Sequence, residues 1–374
     1  MKKKILLFAR DPGAANCLVP VFLKLKNSKI FIPCLFGKEF ALDIFDREKI
    51  TYTDITKKLK RTSEDDIEIF LRRGGYSCIV TGTTSKDDLT DRYLWRVGRK
   101  LGIPTIAILD QWMNYISRFS FHTNENFLID ILPDTICVMD EFAKKEMLKA
   151  GFPVDRIEIT GQPHFETVIK KQKEITRQEI KKFKNKLDIN YGKNVVFASE
   201  PLTKDHGVDL GYSQFSIFKE VFLCLEKIAK KENKINMIFK LHPRDDKRSV
   251  NKLISGLNKN NNLRIIILEK AAPQLLISSV DLIIGMSSMF LIEGALVNKP
   301  IISVQIALDG RAKRKNTFIL DKIGYGKTIF KRNELMDEIK NKLKHKVCDK
   351  ILNFPGNSSE KVIKSIDRLI KYYD

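Results

Sequence analysis

Two stretches, about one helix and one strand apart, set the terms for what this chain can fold into. Ile235–Arg244 reads INMIFKLHPR, an apolar run ending in Lys240, His242, Pro243 and Arg244. Val280–Pro300 reads VDLIIGMSSMFLIEGALVNKP, an apolar run that breaks at Gly285, Ser287 and Ser288 and resumes as a helix carrying Glu293. A β-branched run that stops abruptly in polar residues reads as a buried parallel strand feeding a loop. In open α/β sheets, ligands bind beyond the carboxyl ends of the strands. Both polar clusters are therefore expected on one rim of one sheet, facing one ligand.

The chemistry of that rim favours phosphate. Ser287 and Ser288 stand where a helix begins, and a helix N-terminus presents free N–H groups and a positive dipole end. The two hydroxyls add donors. Lys240, His242 and Arg244 add further donors and positive charge, and Glu293 suits ribose hydroxyls. Together they read as a nucleotide monophosphate or diphosphate pocket built without a P-loop. Each motif alone has a plainer reading, since Ser-Ser caps a helix and His-Pro ends a strand. Their order and phase carry the inference.

The chain has 374 residues, 43% of them hydrophobic, enough for two ordinary domains with full cores. Its formal net charge of +21 suits nucleic acid, an anionic membrane surface or an anionic substrate. Much of the surplus is lysine scattered along helical segments, as a plain solvated surface also requires. No RRM, helix-turn-helix or zinc-finger pattern is present, so no specific nucleic-acid partner is expected. No stretch reaches the roughly 18 apolar residues that span a bilayer. MKKKILLFA superficially resembles a signal peptide, but Arg10-Asp11-Pro12 interrupts it. The expected location is cytoplasmic, with peripheral contact at the inner face of the plasma membrane compatible with the charge. The six cysteines stand singly, without a C-x-x-C, as buried thiols in a reducing compartment do. The five histidines lie far apart, so no metal motif appears; no metal and no cofactor is expected.

Read in order, Lys4–Ala9 is a strand, Arg10–Asn16 a loop and Cys17–Leu25 a helix. This is a Rossmann-like opening without G-x-G-x-x-G, so a dinucleotide site is not expected. Gly13 and its small neighbours let a ligand approach the backbone closely. Ile30–Phe36 is the second strand and Thr51–Ile55 a short third. Cys78–Val80 breaks at Thr81–Thr84, and Thr105–Leu109 ends in Asp110, Gln111 and Trp112. Asp134–Met139 and Ile157–Thr160 close the first half. This alternation predicts a parallel, doubly wound sheet. Phe165–Leu187 reads as one long basic helical connector, and Asn194–Ala198 opens the second half with the loop Ser199–Gly207 behind it. Asn316–Gly326 reads as irregular, and the chain ends in an amphipathic helix, Ser358–Tyr373.

KLHPR followed by GMSSMFLIEGALVNKP resembles the nucleotide-binding half of GT-B glycosyltransferases. The likeness is to the families with His-Pro and Ser-Ser motifs. These include bacterial sialyltransferases and polysialyltransferases, Kdo transferases of capsule and lipopolysaccharide synthesis, and CDP-glycerol glycerophosphotransferases. It covers about 190–310 at the level of motifs and is architectural elsewhere. Non-hydrolysing UDP-N-acetylglucosamine 2-epimerases share the architecture but place Ser-Gly-Gly where this chain has Ser287-Ser288-Met289.

The resemblance implies an α/β GT-B fold, two Rossmann-like doubly wound domains with an interdomain cleft. It divides the chain into an acceptor domain, 1–165 with the helix 358–374, a linker helix 166–190, and a donor domain 191–357. Donor contacts are expected from Ser199, Glu200, Lys204, His206, Lys240, His242, Pro243, Arg244, Ser287, Ser288 and Glu293. Within this set Glu200 would touch the transferred sugar. Asp11 is the first candidate for the catalytic base and Asp110 the second, with Asp11 as a helix cap the plainer alternative. Acceptor contacts are expected near Gly13, Asn16, Thr83, Gln111 and Trp112, although an aromatic such as Trp112 also serves simply as packing. The implied activity is transfer from a nucleotide-activated sugar to a cell-surface glycan or lipid-linked acceptor, without metal. A CMP-activated acidic sugar is the first donor class and a CDP-alditol the next. A UDP-sugar transferase, an epimerase-like enzyme, and a non-catalytic or nucleic-acid-binding basic protein are the alternatives.

Overall fold

The strands form two separate parallel sheets. The computed structural model describes every residue except 1, 60, 85–87, 122–128, 130, 204–208, 232–233, 243, 258–260, 308–317, 346–351, 353, 355 and 374. The described residues divide into two compact units, Met1–Thr167 with Phe354–Asp374, and Val168–Asn353. Lys204, His206, Pro243 and the basic loop 309–315 lie outside the described residues.

The first unit holds β1 (Lys3–Ala9), β2 (Phe31–Gly37), β3 (Thr53–Asp54), β4 (Cys78–Thr81), β5 (Thr105–Ile108), β6 (Thr135–Val138) and β7 (Ile157–Ile159). Their spatial order is β3-β2-β1-β4-β5-β6-β7. The second holds β8 (Lys193–Ala198), β9 (Ile235–Lys240), β10 (Leu263–Leu268), β11 (Leu282–Gly285), β12 (Ile301–Val304) and β13 (Thr328–Ile329), ordered β10-β9-β8-β11-β12-β13. All described pairings are parallel, as between β1 and β4 and between β8 and β11. In both sheets the strand order reverses at the first strand, which opens a crevice beside its carboxyl end.

Each sheet is covered on both faces, which is why its strands are continuously apolar rather than alternating. In β1, Ile5 and Leu7 join the core that includes the helix Pro12–Lys26, while Leu6 and Phe8 join the opposite core with Ile67, Leu71 and Leu94. The C-terminal helix Ser358–Tyr373 belongs to the first unit, with Val362, Ile366 and Ile370 buried at four-residue intervals. It is pinned by Ser365 Oγ donating to Glu158 Oε2 at 2.7 Å and by Ser359 Oγ donating to Glu166 Oε2 at 2.8 Å.

Three expectations for local structure are corrected. The first helix begins at Pro12, not Cys17, so Gly13 and Asn16 are helical rather than in a loop. Proline at the first helical position loses no hydrogen bond, because that N–H has no intrahelical partner. The expected connector Phe165–Leu187 is two helices, Pro163–Glu174 and Arg177–Leu187. Thr176 stops the first from running on by starting the second with a reciprocal cap to Glu179. Within the expected irregular stretch 316–326, Ile319–Lys322 forms a single helical turn. Among the described residues no helix is long and apolar enough to cross a membrane.

Candidate functional site

The second unit brings three strand ends together. Because β8 lies between β9 and β11, the loop after β8 is flanked by the His-Pro loop and the Ser-Ser loop. Ser199 N donates to Lys240 O at 3.1 Å, tying the first two. Glu200 ties the first and third. Its Oε1 accepts from Met286 N at 3.1 Å and Ser287 N at 2.8 Å, and its Oε2 accepts from Ser287 Oγ at 2.8 Å. Glu200, expected at the donor sugar, is thus engaged by the Ser-Ser loop. Burial pushes the Glu200 carboxyl up, while the bonds from Ser287 and Met286 pull the other way without cancelling it.

Ser288 is the N-cap of the helix Met289–Leu296, its Oγ accepting from Phe290 N at 3.2 Å. Gly285 precedes it in a tight space. A Cβ there would stand 2.7 Å from Leu291 Cδ1 and 3.1 Å from Ala198 O. On the far side of this loop, Ser303 Oγ and Gln305 Nε2 both donate to Met286 O.

The His-Pro loop is equally constrained. His242 N donates to Asp245 Oδ2 at 2.8 Å, and Nδ1 of His242 accepts from Arg244 N at 3.1 Å. An accepting Nδ1 puts the proton of the neutral ring on Nε2. Lys240 Nζ lies 5.1 Å from the centre of the Phe290 ring, so it leans on the helix that Ser288 caps. Burial lowers the Lys240 ammonium, and Glu293 and Asp245 oppose that shift through their charge. Arg244 is exposed, and Ser287, Ser288 and Glu293 are half-buried. Asp246 turns away from the site to cap the helix Lys247–Ser255.

The first unit gathers a second cluster on the adjacent ends of β1, β4 and β5. Asp110 is 3% exposed, and its Oδ1 accepts from Arg118 Nη1 at 2.8 Å and Thr83 Oγ1 at 3.4 Å. Arg118 Nη1 also donates to Thr83 Oγ1 at 2.7 Å, and Gln162 Nε2 donates to Asp110 O at 2.7 Å. Neither Arg118 nor Gln162 was among the sequence candidates. Arg118 sits in a one-turn helix, Tyr115–Arg118, and Gln162 follows β7, so no local pattern marks either.

Asp11 differs from Asp110. It is the N-cap residue of its helix, yet its side chain makes no capping bond. It pairs instead with Arg10 Nη1 at 3.1 Å, and Arg10 reaches on to Glu39. Gly13 approaches Asp110 so closely that a Cβ would stand 1.8 Å from Asp110 Oδ2. Gly13→Ala is therefore expected to destabilise the first unit by about 1–3 kcal/mol through overpacking, measured by urea denaturation; an unchanged midpoint would show that Asp110 yields freely.

Trp112, expected at the acceptor, is packed into the first unit. It is 9% exposed and stacked on Phe165 with ring centres 6.0 Å apart, and its Nε1 donates to Asp140 Oδ2 at 2.8 Å. Asn16 Oδ1 accepts from Arg47 Nη2 at 3.4 Å, and Gln111 is half-buried. Behind this rim, the fully buried Arg92 holds the 81–84 loop. Its Nη1 donates to Thr84 Oγ1, Asp88 O and Asp91 Oδ1, and its Nη2 donates to Ser117 O at 2.7 Å. Among the described residues, no group of three or more His, Cys, Asp or Glu could hold a metal ion.

Residues 120–366 match the family model described as CDP-glycerol:poly(glycerophosphate) glycerophosphotransferase. The chain belongs to this glycerophosphotransferase family. No curated protein matches it. Solved structures show the same architecture at low identity. UDP-GlcNAc 2-epimerase from Methanocaldococcus jannaschii aligns with a TM-score of 0.70 at 17% identity, over 98% of this chain and 100% of that one. UDP-GlcNAc 2-epimerase from Neisseria meningitidis, solved bound to UDP-GlcNAc, aligns with a TM-score of 0.69 at 15% identity, again over 98% and 100%. MurG of Acinetobacter baumannii aligns with a TM-score of 0.58 at 13% identity, over 98% of this chain and 99% of that one. The fold is GT-B, and this member of the glycerophosphotransferase family is an enzyme of the glycosyltransferase type.

Proposed function

We propose that this glycerophosphotransferase-family enzyme transfers a group from a cytidine-nucleotide-activated donor to a growing surface glycan or its lipid-linked precursor, releasing CMP. The observation that carries the reading is the union, on one rim, of the His-Pro loop and the Ser-Ser loop around the end of β8. The family match favours a CDP-alditol donor, ahead of the CMP-activated acidic sugar that the motifs alone favour. The two chemistries converge on one leaving group. With a CDP-alditol, an acceptor hydroxyl attacks the β-phosphorus, and the bond from that phosphorus to the bridging oxygen breaks. With a CMP-sugar, the hydroxyl attacks the anomeric carbon, and the bond to the phosphate oxygen breaks. In both, CMP leaves and the hydroxyl proton passes to a base.

Donor phosphate would be held by His242, Arg244 and Lys240, which supply donors and positive charge where negative charge develops on the leaving group. Ser288 supplies the helix start, and Glu293 suits the ribose. Asp11 is the better of the two candidate bases on the first unit, because Asp110 is buried and committed to Arg118.

The test is a thermal-shift series with CMP, CDP, UMP, UDP, ADP, GDP and dTDP, on the native chain and on His242→Ala. Stabilisation selective for CMP or CDP is expected, because a ligand bound only by the folded state raises its melting temperature. Loss of a hydrogen bond to a charged phosphate should weaken the His242→Ala complex about tenfold or more. Selectivity for UDP would move the reading to a UDP-sugar transferase or an epimerase-like enzyme. Absence of any response would overturn the nucleotide reading.

A further inference from the structure

We propose that Glu200 is an internal stand-in for the donor's phosphate: its carboxylate fills the anion nest of the Met286–Ser288 loop, and donor binding exchanges it for a phosphoryl group. The inference rests on the nucleotide reading of this rim and adds a competition built into it.

The nest is defined by its donors. Met286 N and Ser287 N both point at Glu200 Oε1, at 3.1 and 2.8 Å, and Ser287 Oγ points at Oε2 at 2.8 Å. Successive backbone N–H groups converging on one anion form the concavity that elsewhere holds phosphate. It lies beside β8 and β11, where the strand order of this sheet reverses and where such sheets bind their ligands.

The occupant is a weaker tenant than a phosphate would be. The groups that act most strongly on Glu200 are all neutral, and burial pushes its carboxyl up. A phosphoryl group brings more acceptor oxygens and more charge to the same donors. The nest would keep its shape after the exchange. Ser303 Oγ and Gln305 Nε2 hold Met286 O from the far side, and Gly285 is wedged between Leu291 and Ala198. A spare donor stands at the base of the Glu200 loop, since the Oγ of Ser199 is buried and has no partner among the described residues.

The test uses the full chain, titrating inorganic phosphate, CMP and CDP by calorimetry into the native protein, Glu200→Gln and Glu200→Ala, with melting temperatures taken in parallel. Glu200→Ala empties the nest, and Glu200→Gln keeps the size of the side chain while removing its charge. Removal of the competing anion should tighten phosphate and CDP about tenfold in Glu200→Ala, the worth of one net hydrogen bond, and by less in Glu200→Gln. If the variants fold and bind CDP no tighter than the native chain, the carboxylate is a structural tie and the proposal falls, while the nucleotide reading stands. If Glu200→Ala tightens phosphate but no protein binds a cytidine nucleotide, the exchange stands and the nucleotide reading falls. If no protein binds any of the three anions, both fall.

Discussion

Arg92→Met is expected to destabilise the first unit by about 3–5 kcal/mol, the cost of breaking a buried ion pair from one side. Arg92 and Asp91 are both fully buried, and their side chains meet at 3.1 Å. Methionine fills much of the volume but donates nothing. The carbonyls of Asp88 and Ser117 would lose their guanidinium donor, and each buried polar group left unpaired adds its own penalty. Asp91 would keep Thr84 N, Thr84 Oγ1 and Arg92 N as donors, but no cation. Burial already pushes its carboxyl up against the pull of Arg92, so without the arginine it should take up a proton rather than stay charged. Equilibrium urea unfolding measures the effect. A loss below about 1 kcal/mol, the value of an exposed pair, would show that the cluster relaxes or admits water. Asp91→Asn together with Arg92→Met removes both charges and should recover part of the loss.

Asp11→Asn is expected to lower the transfer rate by about two to four orders of magnitude, the usual contribution of a general base, with CDP or CMP binding unchanged. The expectation follows from how the side chain is held. Asp11 occupies a helix N-cap without using its carboxylate as a cap, so its replacement should not unravel the helix. Its carboxylate instead meets Arg10 Nη1 at 3.1 Å. Rates measured at saturating donor, with nucleotide affinity measured separately, divide chemistry from binding. Near-normal transfer would exclude Asp11 as the base. Equal losses of transfer and of melting temperature would make it a structural residue instead.

The contrast between Asp11 and Asp110 shows where reading along the chain stops. Both follow an apolar run and both look alike in one dimension. Only the fold places Arg118 and Thr83 on Asp110 and leaves Asp11 on the rim with Arg10. Trp112 makes the same point. A tryptophan at a strand end offers a ring for sugar stacking, but Phe165 and Asp140, which come much later in the chain, take its face and its N–H. The first helix begins earlier than its sequence suggests for a local reason, since Pro-Gly marks a loop in isolation while proline suits the first helical position.

Sequence alone determined the features that depend on neighbours along the chain. β-Branched runs mark strands, polar residues after them mark one rim, and helical periodicity marks the segments between. That was enough to place two doubly wound halves and the paired His-Pro and Ser-Ser loops. Tertiary structure decided what depends on strand order. Parallel strands pair only through long crossovers, so the insertion of β8 between β9 and β11 is not written in any local pattern. That insertion carries Glu200 to Ser287, 87 positions away, where its carboxylate accepts from the backbone and the hydroxyl of the Ser-Ser loop.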